Sequence, residues 1–70
     1  MISERLDLLI SKCSNIEGRY NIILGKQEYQ ELVLEDPPGF FLPLSGHARY
    51  KDLVVKEYTT LSRGIWVELH

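Results

Sequence analysis

Asn21-Ile22-Ile23-Leu24-Gly25-Lys26-Gln27-Glu28-Tyr29-Gln30-Glu31-Leu32-Val33 is the stretch whose reading decides the fold. Three consecutive apolar residues, Ile22 to Leu24, suit a short strand covered on both faces, and they stop at a glycine. Gly25 lacks a Cβ and can serve as the N-cap of a helix in which Tyr29, Leu32 and Val33 fall at i, i+3 and i+4 on one side. A strand that runs directly into an amphipathic helix leaves apolar surface on both elements. The flanking sequence supplies the cover, a helix before this unit and a hairpin after it.

Upstream, residues 3 to about 14 read as a helix. Ser3 is placed to cap it, and Glu4 and Asp7 favour the positive end of its macrodipole. Ile2, Leu6, Leu9, Ile10 and Cys13 form one apolar stripe at helical spacing, with Leu8 off it as a rim residue or a second contact. Ser14 to Gly18 turns the chain, Asn15 and Gly18 being the residues that tolerate left-handed backbone. The strand then spans roughly Tyr20 to Leu24, and the second helix runs to Leu34 or Glu35, where Pro37 and Pro38 stop it.

Downstream, Phe40 to Leu44 is apolar but broken by proline and glycine, so Phe40–Leu42 reads either as an edge strand or as a loop over the core. Tyr50 to Tyr58 is rich in β-branched and aromatic residues. Asp52 marks a tight turn that leaves Leu53–Tyr58 as the safer strand. Ile65, Val67 and Leu69 alternate with Trp66, Glu68 and His70, which defines a last strand over Ile65–Leu69. With Thr59 to Gly64 between them, these two strands read as a hairpin. The expected fold is α+β: two helices packed on a small, mostly antiparallel sheet of three or four strands, one domain over residues 1–70.

A chain of 70 residues buries only about 60% of the surface its unfolded form exposes, so its core is thin and docking on a partner or on itself is expected from size. One cysteine, Cys13, leaves no internal disulfide. Eight Lys plus Arg against ten Asp plus Glu gives a net charge of −2, which offers no broad attraction to phosphate backbones. The start Met1-Ile2-Ser3-Glu4-Arg5 is unlike a signal peptide, and no segment approaches the ~20 apolar residues of a membrane span. We therefore expect a soluble, cytoplasmic protein with no membrane contact.

Catalytic and metal chemistry find little foothold. Cys13, His47 and His70 fall short of the ligand number and spacing of a zinc site, so Cys13 reads as a small buried hydrophobe. Glu28, Glu31, Glu35 and Asp36 read as a solvated acidic helix face rather than paired catalytic carboxylates. Gly25 at a helix start lacks the glycine-rich loop of a phosphate site. No enzyme, metal or cofactor is expected.

Two stretches are candidates for binding. Phe40, Phe41, Leu42, Leu44 and Trp66 are more large apolar side chains than one loop and one strand face need to bury, and aromatics concentrate where interfaces have their energetic centres. From them we expect a protein-partner or self-association surface built on Phe40, Phe41, Leu44 and Trp66. His47, Arg49, Tyr50 and Lys51 form a local basic cluster with an aromatic, the alternative being a small nucleic-acid-binding regulatory module.

Leu24-Gly25 followed by Tyr29 and Leu32, then Tyr50-Lys51-Asp52-Leu53 with Val55, then Gly64-Ile65-Trp66-Val67, resembles small α+β proteins of tailed phages and prophages, and part of the tailed-phage major capsid fold. The likeness covers roughly residues 20–34 and 50–69, with Asp52 where glycine is usual and Val54 where proline is frequent. It implies a phage or prophage protein acting in virion assembly or on a host protein, in the host cytoplasm or the virion. A chain this short is not a shell subunit by itself. The expected function is non-catalytic binding of another protein or of itself.

Overall fold

The computed structural model describes residues 1–15, 20–60 and 62–69. In chain order the elements are α1 (Ile2–Lys12), β1 (Tyr20–Gly25), α2 (Lys26–Glu35), β2 (Phe40–Phe41), β3 (Ala48–Tyr50), β4 (Leu53–Tyr58) and β5 (Ile65–Leu69). The α+β class is as expected, with two helices. Among the described residues the sheet is larger than the sequence suggests, five strands in the order β2-β3-β4-β1-β5, and it is mixed: the β1–β4 pairing is parallel and the other three are antiparallel. β1 sits next to the middle and pairs parallel with β4, Ile22 facing Val55, and antiparallel with β5, Ile22 facing Val67.

That order corrects the expected hairpin, because β4 and β5 do not pair; they flank β1 on opposite sides. A hairpin joins adjacent strands through a short turn, and the connection from Thr59 to Gly64 is too long to be one of the favoured two-residue loops. Its described end, Ser62 to Gly64, lies against the end of β1 instead. The Gly25 N–H donates to the Gly64 carbonyl at 2.9 Å, and the Gln27 N–H donates to the Ser62 carbonyl at 2.9 Å. Backbone carbonyls of this loop thus satisfy amides at the start of α2 that would otherwise lack partners. Gly25 is the N-cap as expected, but its φ of −62° is open to any residue. Glycine is required there by space, since a Cβ would lie 2.7 Å from the Arg63 backbone.

The hairpin that does form is β3–β4, turned by Lys51 and Asp52 with φ of 49° and 68°. Positive φ at both central residues is the primed turn that matches strand twist. β3 escaped the sequence reading because three residues carry too little alternation to register. Phe40–Phe41 pairs with β3, Phe40 opposite Tyr50, so this segment is an edge strand of only two residues.

Both helices cover one face of the sheet. Ile2 and Leu6 of α1 and Leu32 of α2 pack with Ile22, Leu24, Ala48, Tyr50 and Val55 in one core cluster, with Ile10, Tyr29, Phe40, Leu53 and Ile65 at its margin. The α1 stripe follows the sequence pattern, but Ser3 does not cap the helix, which begins one residue earlier. Its N–H and hydroxyl both bond the Glu35 carboxylate at the far end of α2. The α2 helix ends at Asp36, whose left-handed φ of 46° precedes the two prolines. The Asn15 part of the predicted turn lies in a turn after α1, whereas Gly18 and His70 lie outside the described residues.

Candidate functional site

Strand alternation sends every second side chain to the face without helices. The registers place Phe41 of β2, Arg49 of β3, Val54 of β4, Asn21 of β1 and Glu68 of β5 along one row, with Lys56, Ile23 and Trp66 along the next. Tyr58 joins them, its ring centroid 6.0 Å from that of Trp66. Ile23, Val54 and Lys56 are half-buried, whereas Phe41, Arg49, Tyr58 and Trp66 are exposed. The surface is therefore aliphatic at its centre, with aromatic side chains at the β2 edge and toward the β5 edge and the two cations Arg49 and Lys56 on the inner strands.

Glu68 organises the polar part. Its Oε1 accepts from Asn21 Nδ2 at 2.9 Å and from Lys56 Nζ at 3.1 Å, which ties β4, β1 and β5 together on this face. Asn21 is buried by the same arrangement. Arg49 makes no ion pair among the described residues. Beside it, Tyr20, Asn21, His47, Arg49, Asp52, Leu53, Val54 and Lys56 line a broad, open depression.

The residues expected to form a partner surface do not come together. Phe40 faces the helices and packs at the core margin, whereas Phe41 is on the open face at the β2 edge. Trp66 is on the open face with three strands between it and β2, at the β5 edge. Leu44 sits in a bend after β2 and is fully exposed, and Leu42 is half exposed beside it. The basic stretch divides in the same way. His47 and Arg49 line the open-face depression, while Tyr50 is buried under the helices and Lys51 lies in the hairpin turn.

Tyr50 and Lys51 serve the fold. The Tyr50 hydroxyl donates to Asp7 Oδ1 at 2.7 Å and Lys51 Nζ to the same oxygen at 2.8 Å, clamping α1 to the β3–β4 turn. The hydrogen bond from Lys51, and then that from Tyr50, hold the Asp7 carboxyl below its ordinary value. Burial, followed by the bond to Asp7, pushes the Tyr50 hydroxyl up.

The acidic face also needs correction. Glu31 and Asp36 are solvated, but Glu28 is buried and Glu35 is half-buried. Glu28 Oε1 accepts the Gly64 N–H at 3.1 Å, and its other oxygen lies 3.8 Å from Arg5. The sequence signal was available: Glu28, Leu32 and Glu35 share the i, i+4, i+7 face that carries the buried Leu32. Among the described residues, no three of His, Cys, Asp and Glu gather as a metal-ligand set. No helix of the described residues is long and apolar enough to cross a membrane.

Compared with protein-family models, with curated proteins and with solved structures, the chain matches none.

Proposed function

We propose that the protein is a non-catalytic binding module whose working surface is the open face of the sheet, and that its partner is another protein. One observation carries this reading: the face without helices presents Phe41, Ile23, Val54, Tyr58 and Trp66 where a solvated face would alternate to polar residues. Ile23 and Val54 on the inner strands, aromatic side chains toward both edges and a few charges among them supply the mixture of apolar, aromatic and polar groups that protein interfaces use. The partner surface that fits is apolar, with a carboxylate to meet Arg49. The phage or prophage origin belongs to the same proposal, as does action in assembly or on a host protein, and neighbouring packaging or host-takeover genes are the observation that tests it.

A second reading, single-stranded nucleic acid, draws on His47, Arg49 and Lys56 around one depression beside aromatic residues. Glu68 on the same face and the net charge of −2 weigh against it. The experiment is capture from host lysate by the wild-type chain and by Val54→Lys/Arg49→Glu, with folding checked by thermal melt. A protein captured by the first and lost by the second is the expected result. Equal capture by both overturns the open-face reading. Binding to an oligonucleotide that weakens steeply with salt selects the second one.

A further inference from the structure

Beside the open face, the outer edge of β5 is a second surface with a defined geometry. Among the described residues β5 is a terminal strand of the sheet, paired with β1 on one side and with no strand on the other, where its outward backbone N–H and C=O groups can meet a partner strand. Natural edges are blunted by proline, by lysine, by bulges or by brevity. β5 has five residues, Ile-Trp-Val-Glu-Leu, with no proline and no lysine. Its single charge, Glu68, is engaged across the sheet with Asn21 and Lys56.

We propose that β5 pairs antiparallel with β5 of a second copy about a two-fold axis at Val67, to give a continuous ten-stranded sheet. The sequence of the strand is self-complementary in that register. Centred on Val67, Ile65 opposes the partner copy's Leu69, valine opposes valine, and each Glu68 opposes a Trp66. Centred one residue later, the two Glu68 carboxylates would oppose each other, a like-charge pair that destabilises a ladder. Helix-side residues would then form one apolar row and the open faces of the two copies would merge.

The helix side supplies the second half of the argument. Arg5, Leu8, Leu9, Lys12 and Ile65 line a shallow depression of about 250 Å³ between α1 and the start of β5. Leu8 is 58% exposed there, and Leu69, at the other end of the strand, is 64% exposed. Neither is needed by the core cluster. Because Ile65 opposes Leu69 in the proposed register, each copy's Leu69 is delivered to the depression of the other, beside Leu8 and Leu9. Every exposed leucine at this edge then has a partner, which an arbitrary strand from another protein would not provide.

The test is sedimentation velocity across a concentration series, with thermal melts of each variant. Wild type is expected to move from 8.1 kDa to twice that mass as concentration rises. Leu69→Lys and Leu8→Glu should each remain folded and raise the dimer dissociation constant at least tenfold. An equimolar mixture of the two should dimerise again, since one seat is then leucine on leucine and the other is lysine on glutamate. Phe41→Lys, at the opposite edge, should leave dimerisation unchanged. Should Leu69→Lys unfold, Leu8→Glu alone decides. A wild type that stays monomeric to about 1 mM, or a Leu8→Glu variant that dimerises like wild type, overturns the proposal.

Discussion

The two edges of the sheet are built on opposite principles. At one end, β2 is two residues long, is preceded by Pro37, Pro38 and Gly39 and is followed by Pro43. Proline removes the donor a neighbouring strand would need, and two residues cannot hold a register. At the other end, β5 is five residues long and has neither device. Among the described residues one edge is guarded and the other is not, which makes the unguarded edge informative about association. The difference has its source in the connections. β2 is held by a turn whose Phe40 N–H bonds the Pro37 carbonyl, whereas β5 is held by the loop that lies against the end of β1 and caps α2.

The largest expected effect joins the two edges. Leu24 is fully buried on β1, between the strands that lead to either end. Leu24→Ala should cost about 2–5 kcal/mol, because it removes buried methyl groups and leaves a cavity that the surroundings only partly fill. Denaturant unfolding should show one transition shifted as a whole, with amide protection lost equally in β3 and β5. A loss below about 1 kcal/mol would mean that β1 does not bind the two halves into one unit.

Next comes a change that should separate the edges. Gly64 has a φ of 138°, and a Cβ there would lie 2.3 Å from the Trp66 ring. The indole can swing away, but the backbone strain stays, so Gly64→Ala should cost about 1–3 kcal/mol. The loss should be local: Trp66–Leu69 amides should exchange faster while those of Ala48–Tyr50 keep their protection. Gly25→Ala meets the Arg63 backbone rather than a mobile side chain and should disturb the same edge more. Uniform loss of protection in either variant would dissolve the distinction between the edges.

The junction behind these two glycines also shows what the sequence makes legible. The strand–glycine–helix unit, the stripe on α1 and the alternation of β5 follow directly from residue type and period, because burial of apolar side chains has no cheaper solution. Strand order does not follow. Neighbouring β4 and β5 read as a hairpin, and nothing in Thr59–Gly64 alone says that it steps over a third strand. The information is spread between Gly25, which must be small, and Arg63, whose backbone occupies the space. Site residues were legible only as types. Phe40, Phe41 and Trp66 are close in character, but strand order places Trp66 at the far edge from the two phenylalanines, and strand parity separates Phe40 from Phe41. Tyr50 and Lys51 were legible as basic and aromatic, and their use in holding Asp7 depends on a contact between residues 43 and 44 positions apart.

That contact gives the β2 side its own pH response. Asp7 ionises below its ordinary value in the folded chain, so the stability it contributes is present above the unfolded value of 3.8 and is lost as pH falls through the lower folded value. Tyr50 is shifted upward, so its contribution is present below pH 10 and is lost as pH rises above it. Acidification below about pH 4 should therefore weaken the clamp between α1 and the β3–β4 turn. Asp7→Asn should lower stability at neutral pH and flatten the acid limb, while the alkaline limb, which owes most to burial of Tyr50, should largely persist. Urea titrations from pH 2.5 to 10.5 read this, and exchange at Ala48–Tyr50 localises it. An unchanged acid limb in Asp7→Asn would show that the clamp does not contribute to stability.

The smallest effect belongs to the guarded edge itself. Phe41 is 61% exposed, and Leu44 is as exposed as a residue can be. Neither belongs to the core cluster, so little apolar area would return to water if both became serine. Phe41→Ser/Leu44→Ser should shift stability by no more than about 0.5 kcal/mol, the usual range for surface positions. Phe40 faces the other way, at the core margin, and Phe40→Ser should cost clearly more, although the two phenylalanines are adjacent in sequence. Paired denaturation curves of the two variants make the comparison. The double variant also discriminates between surfaces: its dimerisation should equal wild type, whereas capture of a partner by the open face should weaken through the loss of Phe41. If it abolished self-association instead, the short edge beside the prolines would be the one that pairs, and the unguarded strand would have to owe its exposure to something else.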